Sequence, residues 1–241
     1  MRTRSPAVLA GVVVLWSVLP IHGQDLPALV AKLKALRGKD AIRAAVLAEA
    51  DRTVSESSEL AESAKLRLSV ASDANGLSLT ALGEVADTRL SREFSLFRAS
   101  EIVHYGPSLA RELAGMELVE SRPDSRGEVP CIRWRLQAEE KRSQSGAAAT
   151  VHKETVIWID ADGYPLAASF KKRAEGRMLF FRMTRESAGE QDYKRCGDHL
   201  VLVRDRTEEA DGDGKSKGVK RIVTTSTEIM TAPGSRLSSR R

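Results

Sequence analysis

The stretch Leu66-Arg67-Leu68-Ser69-Val70-Ala71-Ser72-Asp73-Ala74-Asn75-Gly76-Leu77-Ser78-Leu79-Thr80-Ala81 decides the fold class. Leu66, Leu68 and Val70 alternate with Arg67, Ser69 and Ala71, and Leu77, Leu79 and Ala81 repeat the alternation after Gly76. Successive side chains of a strand point to opposite faces, so each run builds one apolar face. Asn-Gly between two such runs favours a tight hairpin turn. The stretch predicts two antiparallel strands, and period two recurs through most of the downstream chain.

Upstream the pattern reads as helix. In 25–37, Leu26, Leu29, Val30, Leu33 and Leu36 fall on one face at helical spacing. Pro27 suits the first turn and Gly38 the end. Asp40 then reads as an N-cap for a second helix from Ala41 to about Ala64, with Ile42, Ala45, Val46 and Ala50 as its inner stripe. Downstream, Phe94, Leu96 and Ile102 continue the strands less regularly, and Pro107 to Ala114 reads as a short helix closed by Gly115. Met116, Leu118 and Val119 face Cys131, Ile132, Trp134 and Leu136 across a polar turn at 122–127. Glu139 to Thr150 reads as a charged loop. Further strands follow at Val156–Ile159, Pro165–Phe170, Met178–Met183, Leu200–Val203 and Val219–Ile229, with a polar loop from Glu208 to Gly218. The expected class is α+β: a curved antiparallel sheet, an incomplete barrel, covered by N-terminal helices.

Arg2 and Arg4, the apolar run Ala7 to Leu19, and Gly23 stand in the order of a secretory signal peptide. The run is shorter than the roughly 20 apolar residues of a membrane span, and no later segment approaches one. The reading divides the chain into a signal peptide at 1–23, one envelope domain at 24–230, and a disordered tail at 231–241. A retained anchor is the alternative, and it would leave Met1 in place. Localisation is then periplasmic or otherwise extracytoplasmic, after cleavage near Gly23. Removing Arg2 and Arg4 lowers the formal charge from +5 to +3. The basic residues are interspersed with acidic ones rather than gathered in a stripe, which argues against nucleic acid. Cys131 and Cys196 are the two cysteines. Export permits a disulfide between them, with two free buried thiols as the alternative.

Val156-Ile157-Trp158-Ile159-Asp160-Ala161-Asp162-Gly163-Tyr164-Pro165-Leu166 carries its own turn chemistry. Asp160 can bond the turn backbone, Gly163 can supply a positive φ, and Pro165 sets the entry of the return strand. This hairpin resembles one common in periplasmic lipoprotein carriers and outer-membrane lipoprotein-sorting proteins. The order of exported start, helix, strand meander and long final hairpin is similar to that family over about 40–230. The resemblance implies an incomplete barrel plugged by helices, with an apolar cavity for acyl chains. Its hydrophobic ligand or acylated protein would be held without catalysis. Trp134, Trp158, Phe170, Phe180 and Phe181 are the candidate lining residues, each read more readily as plain core.

Other chemistry is thin. Gly106-Pro107-Ser108-Leu109-Ala110 lacks the second glycine of a nucleophile elbow. Ser169 and Lys172 lie in a predicted strand, where they point to opposite faces. Asp211-Gly212-Asp213-Gly214-Lys215 has too few oxygen ligands for calcium. No histidine pattern matches a metal site and no cofactor motif occurs, so neither metal nor cofactor is expected. The chain reads as a non-enzymatic binding protein. A cell-envelope protein-interaction module without lipid is the other reading.

Overall fold

The computed structural model describes residues 25–36, 38–54, 60–73, 76–82, 101–144, 147–178, 181–212 and 217–231. The expected signal peptide, Phe94, Leu96, Phe180, the Ala74-Asn75 turn and the tail beyond Thr231 lie outside the described residues. Among the described residues ten strands form one antiparallel sheet. They are β1 (Ile42–Val54), β2 (Leu60–Asp73), β3 (Gly76–Ala81), β4 (Glu117–Arg126), β5 (Val129–Gln144), β6 (Ala147–Ile159), β7 (Pro165–Met178), β8 (Phe181–Cys196), β9 (His199–Gly212) and β10 (Lys217–Thr231). Their order across the sheet is β3-β2-β1-β10-β9-β8-β7-β6-β5-β4. From β4 to β10 the chain is a plain meander, and the first three strands add to the sheet beside β10. Both ends of this order are edges, so the sheet is open.

The deciding stretch forms β2 and β3, with Val70 opposite Leu79 and Asp73 opposite Gly76. Helix α1 (Leu26–Ala35) also follows its sequence: Asp25 accepts from the Ala28 N–H at 2.8 Å, and Leu29, Val30 and Leu33 are buried. Helix α2 spans Tyr105–Leu113, with a helical turn at 101–103 before it. Ile102, expected in a strand, lies in that turn and is buried.

The expected second helix, Ala41 to about Ala64, is instead β1 and the start of β2, with 55–59 outside the described residues. Ile42, Ala44, Val46 and Ala48 are buried, while Arg43 between the first two is exposed. That is period two, which alanine-rich composition disguised as period 3.6. The two polar loops are strand as well. Glu139 pairs with His152 and Lys141 with Thr150, so β5 continues to Gln144 and β6 begins at Ala147. Glu208 pairs with Arg221 and Ala210 with Val219. Backbone ladders do not require apolar side chains, and cross-strand ion pairs such as Lys153–Glu140 and Arg221–Glu208 occupy these faces. The strand expected at Met178–Met183 is not one strand: Met178 ends β7 and pairs with Phe181, which opens β8.

No disulfide forms: both cysteines are free. Cys131 is on β5 and Cys196 on β8, three strand spacings apart in the sheet order. At about 4.8 Å per spacing the backbones stand roughly 14 Å apart along the sheet, well beyond bridging distance.

Two hydrophobic clusters hold the fold. The first joins Leu29 and Leu33 of α1 and Leu109 and Leu113 of α2 to Trp134, Leu136, Ile157, Ile159, Leu200 and Leu202 of the strands. The second joins Ile102 and Val103 to Ile42, Val46, Leu68, Val70 and Val201. The β6–β7 hairpin tip clamps α1. Lys32 Nζ donates to the Asp162 carbonyl and lies 4.1 Å above the Tyr164 ring, which Arg195 also approaches at 4.0 Å. Its turn is built as its residues imply. Asp160 Oδ1 accepts from the Tyr164 N–H at 2.8 Å, and Gly163 has φ +77°.

Candidate functional site

A cleft of about 520 Å³ opens between α2 and the middle strands. The strand registers explain its lining. One row across the sheet runs Leu136, Thr155, Phe170, Gly189, Thr207 and Ile222. The next row toward the helices runs Trp134, Ile157, Ala168, Gln191, Asp205 and Thr224. The row on the other side runs Ala138, Lys153, Lys172, Ser187, Glu209 and Lys220. All three rows share one face. The cleft therefore passes from a mixed polar wall, over an apolar floor, to a lysine-bearing rim.

The floor is Phe170, Ile222 and Met116, with Thr155 and Thr207 beside them. A Cβ at residue 189 would lie 2.6 Å from the Arg206 carbonyl and 2.7 Å from Phe170 Cε1. The Phe170 ring thus covers bare backbone, the arrangement in which an aromatic shields a strand glycine.

The wall is a hydrogen-bonded network. Gln191 Oε1 accepts from the hydroxyls of Tyr193 at 2.6 Å and Tyr105 at 3.0 Å. Gln191 Nε2 donates to Asp205 Oδ1 at 3.2 Å, which also accepts from Thr207 Oγ1 at 3.3 Å. A register shift beside Tyr193 places one extra residue, Val203, in β9, so that Leu202 and Asp205 both stay buried. Such bulges re-aim side chains. The Tyr105 and Tyr193 rings stack at 5.5 Å, and burial pushes both phenols well above their ordinary pKa.

Glu112 Oε1 lies 3.4 Å from the Tyr105 hydroxyl. Protein surrounds Glu112 on most sides, yet its side chain is open to water in the cleft. Burial, then the Glu101 carboxylate, raises its pKa to about 7.

The structure disperses the predicted lining residues. Phe170 lines the cleft. Trp134 is 2 % exposed and belongs to the core with the helices. Trp158 is half-buried away from the cleft, where its Nε1–H donates to Asp124 at 3.0 Å under the Arg126 guanidinium. Phe181 opens β8 and pairs with Met178. The polar wall was missed. Gln191 and Asp205 share the inward parity of their strands with Tyr193 and Leu202, a signal readable only once strand limits and the bulge are known. Among the described residues no cluster of His, Cys, Asp and Glu could hold a metal, and no helix is long and apolar enough to cross a membrane. No protein-family model matches the chain, and no curated protein matches it.

Proposed function

We propose that the chain is an exported, non-enzymatic binding protein that holds an acyl-bearing ligand, a lipid or an acylated protein, in this cleft. In this reading the sheet curves over the helices as an incomplete barrel, as the resemblance to lipoprotein carriers implies. The observation that carries the reading is the row order of the cleft: apolar floor at Phe170, Met116 and Ile222, lysine rim at Lys153, Lys172 and Lys220. An acyl chain laid on the floor would place an anionic head at that rim. Native mass spectrometry of the purified exported chain tests it. A copurifying acyl species, and micromolar binding of a fluorescent fatty acid weakened by Ile222→Lys, are expected. A clean apo mass with no fatty acid binding overturns it.

A second reading is an envelope interaction module. Leu118, Val119 and Val129 on the edge hairpin β4–β5 are 40 %, 49 % and 46 % exposed, beside a strand edge able to add a partner strand. Lipid-free protein whose partner binding is lost on Val119→Lys would favour it.

A further inference from the structure

His199 is 1 % exposed and takes no part in the cleft. It sits where the sheet splits. Beyond the Arg204–Thr225 pair, β9 and β10 no longer pair, and β10 continues along β1 alone. The residues contacting His199 at this split come from the 38–40 segment and from Val103 and His104 ahead of α2. His199 Nε2 faces the Asp40 carbonyl at 2.8 Å, and its Nδ1 faces His104 Nδ1 at 3.0 Å and the Val103 carbonyl at 3.3 Å. The two rings stack at 4.8 Å, and His104 Nε2 meets Ser72 Oγ at 3.0 Å. Gly38, at φ +59°, closes over the pair: a Cβ there would run into the His104 ring and reach His199 Cε1 at 3.0 Å.

In the neutral pair each His199 nitrogen faces a carbonyl, and the shorter contact decides the tautomer. A carbonyl only accepts, so the 2.8 Å contact with Asp40 puts that ring's single proton on Nε2 and leaves Nδ1 as an acceptor, with the Val103 carbonyl 3.3 Å away receiving no proton from it. His104 Nδ1–H then donates to it, and His104 Nε2 accepts from the Ser72 hydroxyl. One added proton is accommodated. It goes either to His104 Nε2, with Ser72 turned to accept, or to His199 Nδ1, with His104 Nδ1 as acceptor. A second added proton is not. Both Nδ1 atoms would then carry hydrogens across 3.0 Å between two cations, and the Val103 carbonyl at 3.3 Å can take the His199 hydrogen but does not separate the charges.

We propose that the His104–His199 contact is an acid-released latch, which holds the 38–40 segment and the start of α2 against β9 until the pair takes up its second proton. The neighbouring charges fit this. From the β8–β9 turn, Asp198 lies 3.5 Å from His199 Nε2 and offsets one positive charge. From the 38–40 segment, the Lys39 and Asp40 N–H groups bond the Asp198 carboxylate, at 2.7 and 3.5 Å, so it is already engaged. The Asp40 carboxylate reaches toward Gly197. β2 contributes the neutral Ser72 hydroxyl. Burial and then His199 lower the His104 pKa below its ordinary value, against Asp198. Release of α2 would unseat Tyr105 and Glu112 from the cleft wall. That consequence for ligand rests on the proposed binding function, whereas the latch itself does not.

Hydrogen exchange of the exported chain at pH 7 and about pH 5, corrected for the intrinsic pH dependence of exchange, tests the latch without ligand. Peptides covering 38–44 and 101–113 should lose protection about tenfold relative to those covering 132–138 in β5, and His104→Gln should abolish the difference. Unchanged protection at the lower pH, or an equal loss in His104→Gln, overturns the proposal. If that variant fails to fold, the histidine NMR titration of the natural chain decides. Two linked protonations, with the second coinciding with shifts in α2 signals, are expected. Independent titrations that leave α2 unchanged overturn it.

Discussion

Phe170 and Gly189 are cross-strand partners, and the ring of the first fills the space that a side chain on the second would need. Gly189→Ala must therefore push the ring into the cleft or bend β8 away from the Arg206 carbonyl. Overpacking of this kind costs about 1–3 kcal/mol. A urea unfolding midpoint lowered by that amount is expected, together with altered fatty acid binding under the proposed function. An unchanged midpoint would show that Phe170 swings aside freely.

Glu112 makes stability depend on pH in a direction opposite to a salt-bridged carboxylate. Its pKa is raised from 4.5 to about 7 in the folded chain, so folding binds its proton more tightly. Its contribution is fully present below about pH 4.5 and is lost as pH rises through about 7. Glu112→Gln cannot ionise. The variant should match the natural chain at pH 4.5 and exceed it at pH 8, by a margin that water in the cleft keeps small. Denaturation midpoints across this range check it, and a gap that shrinks as pH rises would contradict the assignment.

The cysteine geometry predicts two reactive thiols after unfolding. Unreduced, denatured protein should take up two equivalents of a thiol reagent. In the native state Cys131, which is buried, should react more slowly than the half-buried Cys196. Burial raises both thiol pKa values, which slows both reactions further.

The parts of the fold legible in the sequence were those where a local rule decides. Asp25 and the leucine stripe mark α1, the Leu66–Ala81 alternation marks β2 and β3, and Asp160, Gly163 and Pro165 mark the β6–β7 turn. Where composition and period disagree, composition misled. Ala44, Ala45 and Ala48 suit a helix, but only period two buries Ile42, Ala44, Val46 and Ala48 together, and β10 waits on the far side of the chain to pair with them. Strand ends built from Glu, Lys and Arg read as loops because their pairing partners are not local in sequence. The cleft wall was illegible for the same reason. Gln191 and Asp205 meet through the β8–β9 register and Tyr105 reaches Gln191 from a helix 86 positions away, so no spacing along the chain announces the network.

That network yields the sharpest contrast between two substitutions. Tyr193→Phe removes one hydroxyl and leaves Gln191 Oε1 with the Tyr105 donor, so its cost should be about 1 kcal/mol. Gln191→Leu has similar volume but removes the acceptor of both tyrosines and a donor to Asp205. Tyr193 and Asp205 are buried, so water does not readily replace what is lost. Each buried polar group stripped of a partner costs about 1–3 kcal/mol; Asp205 retains Thr207, while the Tyr193 hydroxyl loses the acceptor it has in this wall. The Leu variant should therefore lose at least twice what the Phe variant loses. In the Gln191→Leu background, Tyr193→Phe should become neutral or stabilising, because it then removes a stranded hydroxyl. Denaturation of the two single variants and the double variant completes the cycle. Additive costs would mean that the two residues act independently and that the wall is not a single hydrogen-bonded unit.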